Sequence, residues 1–138
     1  MIILDTNFIF ALKSKKDKKH ERAHAILDVT YKDNHELKLT TYSVVNETFT
    51  LAMARYQGNV DRLKPFYELF WGEENFFKIL LIERNEYMKI YKILKKYCSQ
   101  KRLLSFVDAS LIYLYQKLDA TGLISFDQHF DNILNRIY

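Results

Sequence analysis

A chain of 138 residues with 49% hydrophobic and 28% charged side chains and a net charge of +4 has room for one domain with one core, and its composition excludes a disordered chain. Its single cysteine, Cys98, excludes an internal disulfide and a cysteine-built zinc site. No uncharged stretch is long enough to span a bilayer, and Met1–Asp5 lacks the basic head and apolar run of a signal peptide, so a cytoplasmic protein with no membrane partner is expected.

Met1–Leu4 is an apolar run halted by Asp5, the pattern of a buried strand. Between Lys13 and His24 six bases outnumber two acids, so this one segment carries the whole net excess. Such a patch on a balanced body suits a polyanion, and Lys13, Lys15, Lys16, Lys18 and Lys19 are candidate RNA contacts, although a solvated loop and helix start has the same composition. Lys18–Lys32 predicts a helix with Ala23, Ile26, Leu27, Thr30 and Tyr31 on one face. Leu37–Thr40 predicts a second strand, and Thr41–Tyr56 a helix with Val45, Phe49, Ala52 and Tyr56 at spacings of four, three and four. Asn59–Trp71 reads as a helix broken near Pro65, followed by a strand at Phe76–Ile82 and a helix at Asn85–Tyr97. Phe106–Leu118 carries Val107, Leu111, Leu114 and Leu118 on one stripe, Leu123–Phe126 predicts a fourth strand, and Ile133–Tyr138 a weaker fifth. Strands alternating with helices imply an α/β fold. We expect a single domain over residues 1–138, a three-layer α/β/α sandwich around a mainly parallel sheet of four or five strands.

In an open parallel sheet, ligands bind beyond the carboxyl ends of the strands. Asp5 follows the first strand and Asp127 the fourth, Glu47 lies on the helix after the second, and Asp108 opens the helix before the fourth. Each has an ordinary reading. Asp5 and Asp127 suit helix N-caps, Glu47 is a border residue of an amphipathic helix, and Ser105–Asp108 has the form of a capping box. Asp131, one turn after Asp127, suits a solvated acid. Together they suggest more, because two unit charges roughly 5 Å apart repel by about 3 kcal/mol at an effective dielectric of 20. Four carboxylates with no lysine or arginine among them require a cation, and an all-oxygen donor set favours Mg²⁺ or Mn²⁺ over zinc.

Asp5-Thr6-Asn7 after an N-terminal strand, Asn46-Glu47 on a middle helix, Ser105-Phe106-Val107-Asp108-Ala109, and Ile124-Ser125-Phe126-Asp127-Gln128-His129-Phe130-Asp131 resemble the four sequence blocks of the PIN-domain family, in the family's order. The resemblance spans Asp5 to Asp131. It implies a metal-dependent ribonuclease similar to the toxin subunits of type II toxin–antitoxin pairs, leaving 5′-phosphate and 3′-hydroxyl ends. It carries over Asp5, Glu47, Asp108 and Asp127 as catalytic, metal-holding acids, with Thr6, Asn7, Ser105, Ser125 and Asp131 in support. An antitoxin protein is an implied partner, although a long aromatic insert, Pro65–Phe77, and a short tail after Asp131 depart from the family pattern. The insert's apolar surface suggests a homodimer.

Competing motifs fit less well. His20-Glu21-Arg22-Ala23-His24 is a literal H-E-x-x-H, but it stands behind a lysine run on the polar margin of a helix and lacks a third ligand on a partner helix. A receiver domain would need an acidic neighbour for Asp5, and a haloacid-dehalogenase-like phosphatase would need an Asp where Asn7 stands. The alternative of another class is a catalytically inactive PIN-like module that binds RNA or protein.

Overall fold

Ile2–Leu4 has no polar side chain and forms β1, the middle strand of a five-stranded sheet in the order β3-β2-β1-β4-β5. The computed structural model describes residues 1–32 and 36–138, without the side chains of Tyr31 and Lys32. The other strands are β2 (Lys38–Thr41), β3 (Lys78–Leu80), β4 (Gly122–Ile124) and β5 (Arg136–Ile137). All four pairings are parallel. Six α-helices connect them: α1 (Thr6–Lys13), α2 (His20–Lys32), α3 (Tyr42–Arg55), α4 (Lys64–Trp71), α5 (Tyr87–Tyr97) and α6 (Phe106–Lys117). Single turns of 3₁₀-helix cover Val60–Leu63, Arg84–Glu86 and Gln128–Phe130. Helices α1, α3 and α4 pack on one another, α2 packs on α1, and α5 packs on α6, giving the three-layer sandwich. Among the described residues no helix is long and apolar enough to cross a membrane.

The largest departure from the sequence pattern is α1. Phe8, Ile9, Phe10, Ala11 and Leu12 are all buried, so this helix is covered on every side. Phe8 and Ile9 join the main core against the sheet, whereas Phe10 turns to a smaller cluster and stacks on Phe66 at 5.5 Å. Burying each such side chain contributes roughly 2 kcal/mol. Pro65 lies in the first turn of α4, where its missing N–H costs nothing, so the discontinuity falls just before it. The aromatic insert divides: Phe66, Phe70 and Phe77 are buried, and Tyr67 and Trp71 are about half exposed. The helix that Asp127 suits as N-cap is only the single 3₁₀ turn Gln128–Phe130. Tyr31, expected on the buried face of α2, lies outside the described side chains.

The strand order places a topological switch point at β1 and β4. From β1 the chain steps outward through β2 to β3, then returns to β4 on the other side of β1. The register Ile2↔Gly122, Ile3↔Leu123, Leu4↔Ile124 brings the residues that follow, Asp5 and Ser125, side by side at the carboxyl edge.

Candidate active site

At that edge a cleft of about 350 Å³ is lined by Asp5, Glu47, Asp108 and Asp127, together with Thr6, Asn7, Ser105 and His129. The four acids come from four separate segments, yet each is aimed by a hydrogen bond from its own or a neighbouring turn. Asp5 caps α1, accepting from the Thr6 N–H at 2.7 Å, and its other oxygen accepts from the Ser125 hydroxyl at 2.6 Å. Glu47 accepts from the Thr6 hydroxyl. Asp108 and Ser105 form a reciprocal capping box, with Asp108 Oδ2 2.7 Å from the Ser105 N–H and Asp108 N–H 3.0 Å from Ser105 Oγ. Asp127 caps the Gln128–Phe130 turn through the His129 N–H at 2.8 Å. The capping readings of Asp5, Asp108 and Asp127 are therefore correct. They leave Glu47 Oε1, Asp108 Oδ1 and Asp127 Oδ2 without a hydrogen-bond partner among the described residues.

Ser125 is the hub of this arrangement. Its hydroxyl donates to Asp5 and accepts from the Asp127 N–H at 3.0 Å and the Asn7 amide at 3.3 Å, which exhausts its capacity. Asn7 in turn accepts from the Phe126 N–H at 2.9 Å. The loop after β4 is thereby fastened to the start of α1.

The sequence matches the PIN domain family over residues 2–134. The chain belongs to the PIN domain family. No curated protein matches it. Among solved structures, VapC20 of Mycobacterium tuberculosis, a sarcin-ricin loop cleaving toxin, is similar with a TM-score of 0.73 at 21% identity, over 95% of this chain and 92% of its own. FitAcB from Neisseria gonorrhoeae is similar with a TM-score of 0.68 at 18% identity, over 100% of this chain and 97% of its own. At those identities the likeness is one of fold.

The electrostatics of the PIN domain's cleft are unbalanced. No lysine or arginine lines it. Burial pushes the Asp5 carboxyl from its usual 3.8 up to about 7, the Ser125 bond opposes this, and the charges on Asp108 and Glu47 add to the rise. Burial also raises Asp108, with the Asp127 charge adding and the Ser105 bonds opposing. A hard cation would relieve these strains, and the donor set, all oxygen, fits Mg²⁺ or Mn²⁺. As they stand, no three His, Cys, Asp or Glu side chains among the described residues are grouped closely enough to hold an ion.

The remaining expected site residues are placed differently. Asp131 does not line the acidic cleft; its carboxylate is gripped by Arg136 at 2.6 and 3.1 Å, which holds it below the usual carboxylate range. Arg136 also donates to the Ser125 carbonyl at 3.2 Å, which ties Asp131 to the site, and Asp131 lines an adjoining hollow with Asn7, Asp127 and His129. Lys13 pairs with Glu74 and lines a separate apolar hollow, and Lys15 lines neither cleft nor groove. Lys16, Lys18 and Lys19 line a groove of their own. His129, which carried no role in the sequence reading, lies in the cleft with Nδ1 3.2 Å from Asp127. Its only sequence signal was its place two residues after an acid. The H-E-x-x-H histidines are structural: His20 Nδ1 and His24 Nε2 donate to the Ala11 and Leu12 carbonyls, at 2.7 and 3.1 Å, capping the end of α1.

Proposed function

We propose that this PIN domain is a ribonuclease that hydrolyses RNA phosphodiester bonds with Mg²⁺ or Mn²⁺ held by Asp5, Glu47, Asp108 and Asp127. The observation that carries the reading is the convergence of four carboxylates from four segments on one cleft without a basic counter-charge. A structural role for acids would pair them with Lys or Arg, as Asp131 and Glu86 are paired elsewhere in the chain. When bound, such a cation supplies a Lewis acid that lowers the pKa of water and offsets charge developing on phosphate oxygens. The chain's own residues do the positioning. Ser125 and the Thr6 N–H hold Asp5, the Thr6 hydroxyl holds Glu47, Ser105 holds Asp108, and the His129 N–H holds Asp127, each leaving lone pairs directed to the cleft. Asp5 must give up its proton to serve as a ligand, so a cation and a proton compete for this carboxyl. The likeness to a sarcin-ricin loop cleaving toxin supports RNA as the substrate class and an antitoxin protein as a partner. The exposed Tyr67 and Trp71 on α4 support a homodimer.

The second reading, an inactive PIN-like module that binds RNA or protein, draws on the separation of the acids, too wide among the described residues to hold an ion without rearrangement. Two measurements separate the readings. The nuclease requires that Mn²⁺ raise the melting temperature of the wild type, and that RNA be cut only with the metal present. Asp5→Asn and Asp108→Asn must each abolish cutting while the circular dichroism spectrum stays unchanged. Normal cleavage by Asp108→Asn would reduce that residue to its capping role.

A further inference from the structure

Beside the acidic cleft runs a second, basic depression of about 610 Å³, lined by Lys16, Lys18, Lys19, Arg55 and Arg62 around a floor of Phe10 and Tyr56. Among the described residues none of the five cations has an ion-pair partner. The one carboxylate in the lining, Asp17, already accepts from the Lys19 N–H at 2.8 Å. Lys19 and Arg62 rest instead on aromatic faces, Phe126 at 5.6 Å and Tyr56 at 4.9 Å. Five like charges gathered over an apolar floor destabilise the folded chain unless a polyanion covers them.

The groove and the cleft share one seam. Helices α1 and α3 pack together, and each contributes to both sites. Along α1, Thr6 and Asn7 face the cleft, and Phe10 and the capping Ser14 face the groove. Along α3, Glu47 and Leu51 face the cleft, and Arg55 and Tyr56 face the groove. The eight residues from Glu47 to Arg55 rise about 12 Å. A stacked strand with a rise of about 3.4 Å per nucleotide covers that span in roughly three nucleotides. We infer that this groove is the track for the phosphodiester backbone of single-stranded RNA next to the bond being cut. The inference rests on the nuclease reading for its direction, but not for its occupant. A strand with evenly spaced phosphates matches basic side chains spaced along the ends of α1 and α3. The groove's place along the same two helices as the cleft favours RNA over an acidic protein segment.

The test uses the triple variant Lys16→Ala/Lys18→Ala/Arg55→Ala, three exposed side chains with no hydrogen bond or ion pair to lose. Binding of a fluorescein-labelled oligouridylate is followed by anisotropy in EDTA, where metal-dependent cleavage is silent. For a single strand the slope of log K against log salt changes by roughly 0.7 per phosphate contact, so the variant should be less steep by about 2, and weaker by on the order of a hundredfold at about 0.1 M salt. Lys89→Ala/Lys92→Ala/Lys96→Ala on α5, which lines neither site, removes the same charge and should leave at least most of the slope. The track is overturned if the two triple variants lose affinity alike, if the groove variant binds as the wild type does, or if polyglutamate competes as well as RNA at matched charge. If the wild type binds RNA through the groove but never cuts it with Mn²⁺, the nuclease reading fails and the track stands. If it cuts RNA while the groove variant keeps wild-type affinity and KM, the track alone fails.

Discussion

Asp5→Asn removes a charge that the fold buries at a loss. The carboxyl titrates at about 7 in the folded chain against 3.8 as its ordinary value. At about 1.36 kcal/mol per pH unit, ionising it in the folded state costs about 4 kcal/mol relative to the unfolded chain. The direction is that of a raised acid. The cost is absent below the unfolded pKa, grows between 3.8 and about 7, and is complete above it, so it is less than about 1 kcal/mol at pH 4 and about 4 kcal/mol at pH 8. Asn has the same shape and keeps the bond from the Thr6 N–H, but its amide meets Ser125 Oγ, which already accepts from Asp127 and Asn7. That mismatch costs about 1–2 kcal/mol at every pH. The variant should therefore melt below the wild type at about pH 4 and above it at about pH 8, where a net gain of about 2–3 kcal/mol corresponds to roughly 10 °C. Calorimetry in EDTA at the two pH values measures both. A difference in melting temperature that keeps the same sign and size at acid and alkaline pH would refute the claim that Asp5 is a strained, buried charge.

The same logic with the opposite sign applies to Glu86. Its bonds from Lys117, the Glu83 N–H and Tyr113 pull its carboxyl down from 4.5 to about 2 and tie the start of α5 to α6. Stability from this group is present above 4.5 and is lost as the pH falls towards about 2, so Glu86→Gln should flatten the acid limb of urea stability between those values. Ser125→Ala strands Asp5 Oδ2, the Asp127 N–H and the Asn7 amide together, and should cost about 2–3 kcal/mol in denaturant titrations. Gly72→Ala would place a Cβ 2.7 Å from the Glu68 carbonyl oxygen, backbone against backbone, whereas Gly122→Ala meets only the tip of Ile137 at 2.6 Å. Gly72→Ala should therefore lower the melting temperature more than Gly122→Ala, with a loss of about 1–2 kcal/mol.

Much of the fold could be read in the amino acids because strands and helices announced themselves by period. β1, β3 and even the two-residue β5 fall within the expected runs, and β2 and β4 overlap theirs with ends displaced by one or two residues. Helix α1 was signalled only by Asp5 as a suitable N-cap, since five buried residues in a row leave no polar face to mark its extent. The grouping of Asp5, Glu47, Asp108 and Asp127 at one cleft was legible because a parallel sheet delivers its strand ends to one edge. What sequence could not supply was pairing. Lys13 is taken by Glu74 and Asp131 by Arg136, contacts 61 and 5 residues away that no local pattern encodes. The H-E-x-x-H histidines were readable as a non-site, but their purpose, bonding two carbonyls of α1, depended on where that helix ends.

The bond between Ser125 and Asp5 joins positions 120 apart in the chain. During synthesis the amino-terminal acid therefore leaves the ribosome long before the segment that completes its surroundings, and β1 must wait for β4. A nascent polypeptide from which β4 has not yet emerged presents Asp5 and Glu47 without Asp127. Until that strand arrives, the amino-terminal acids stand in an unfinished cleft.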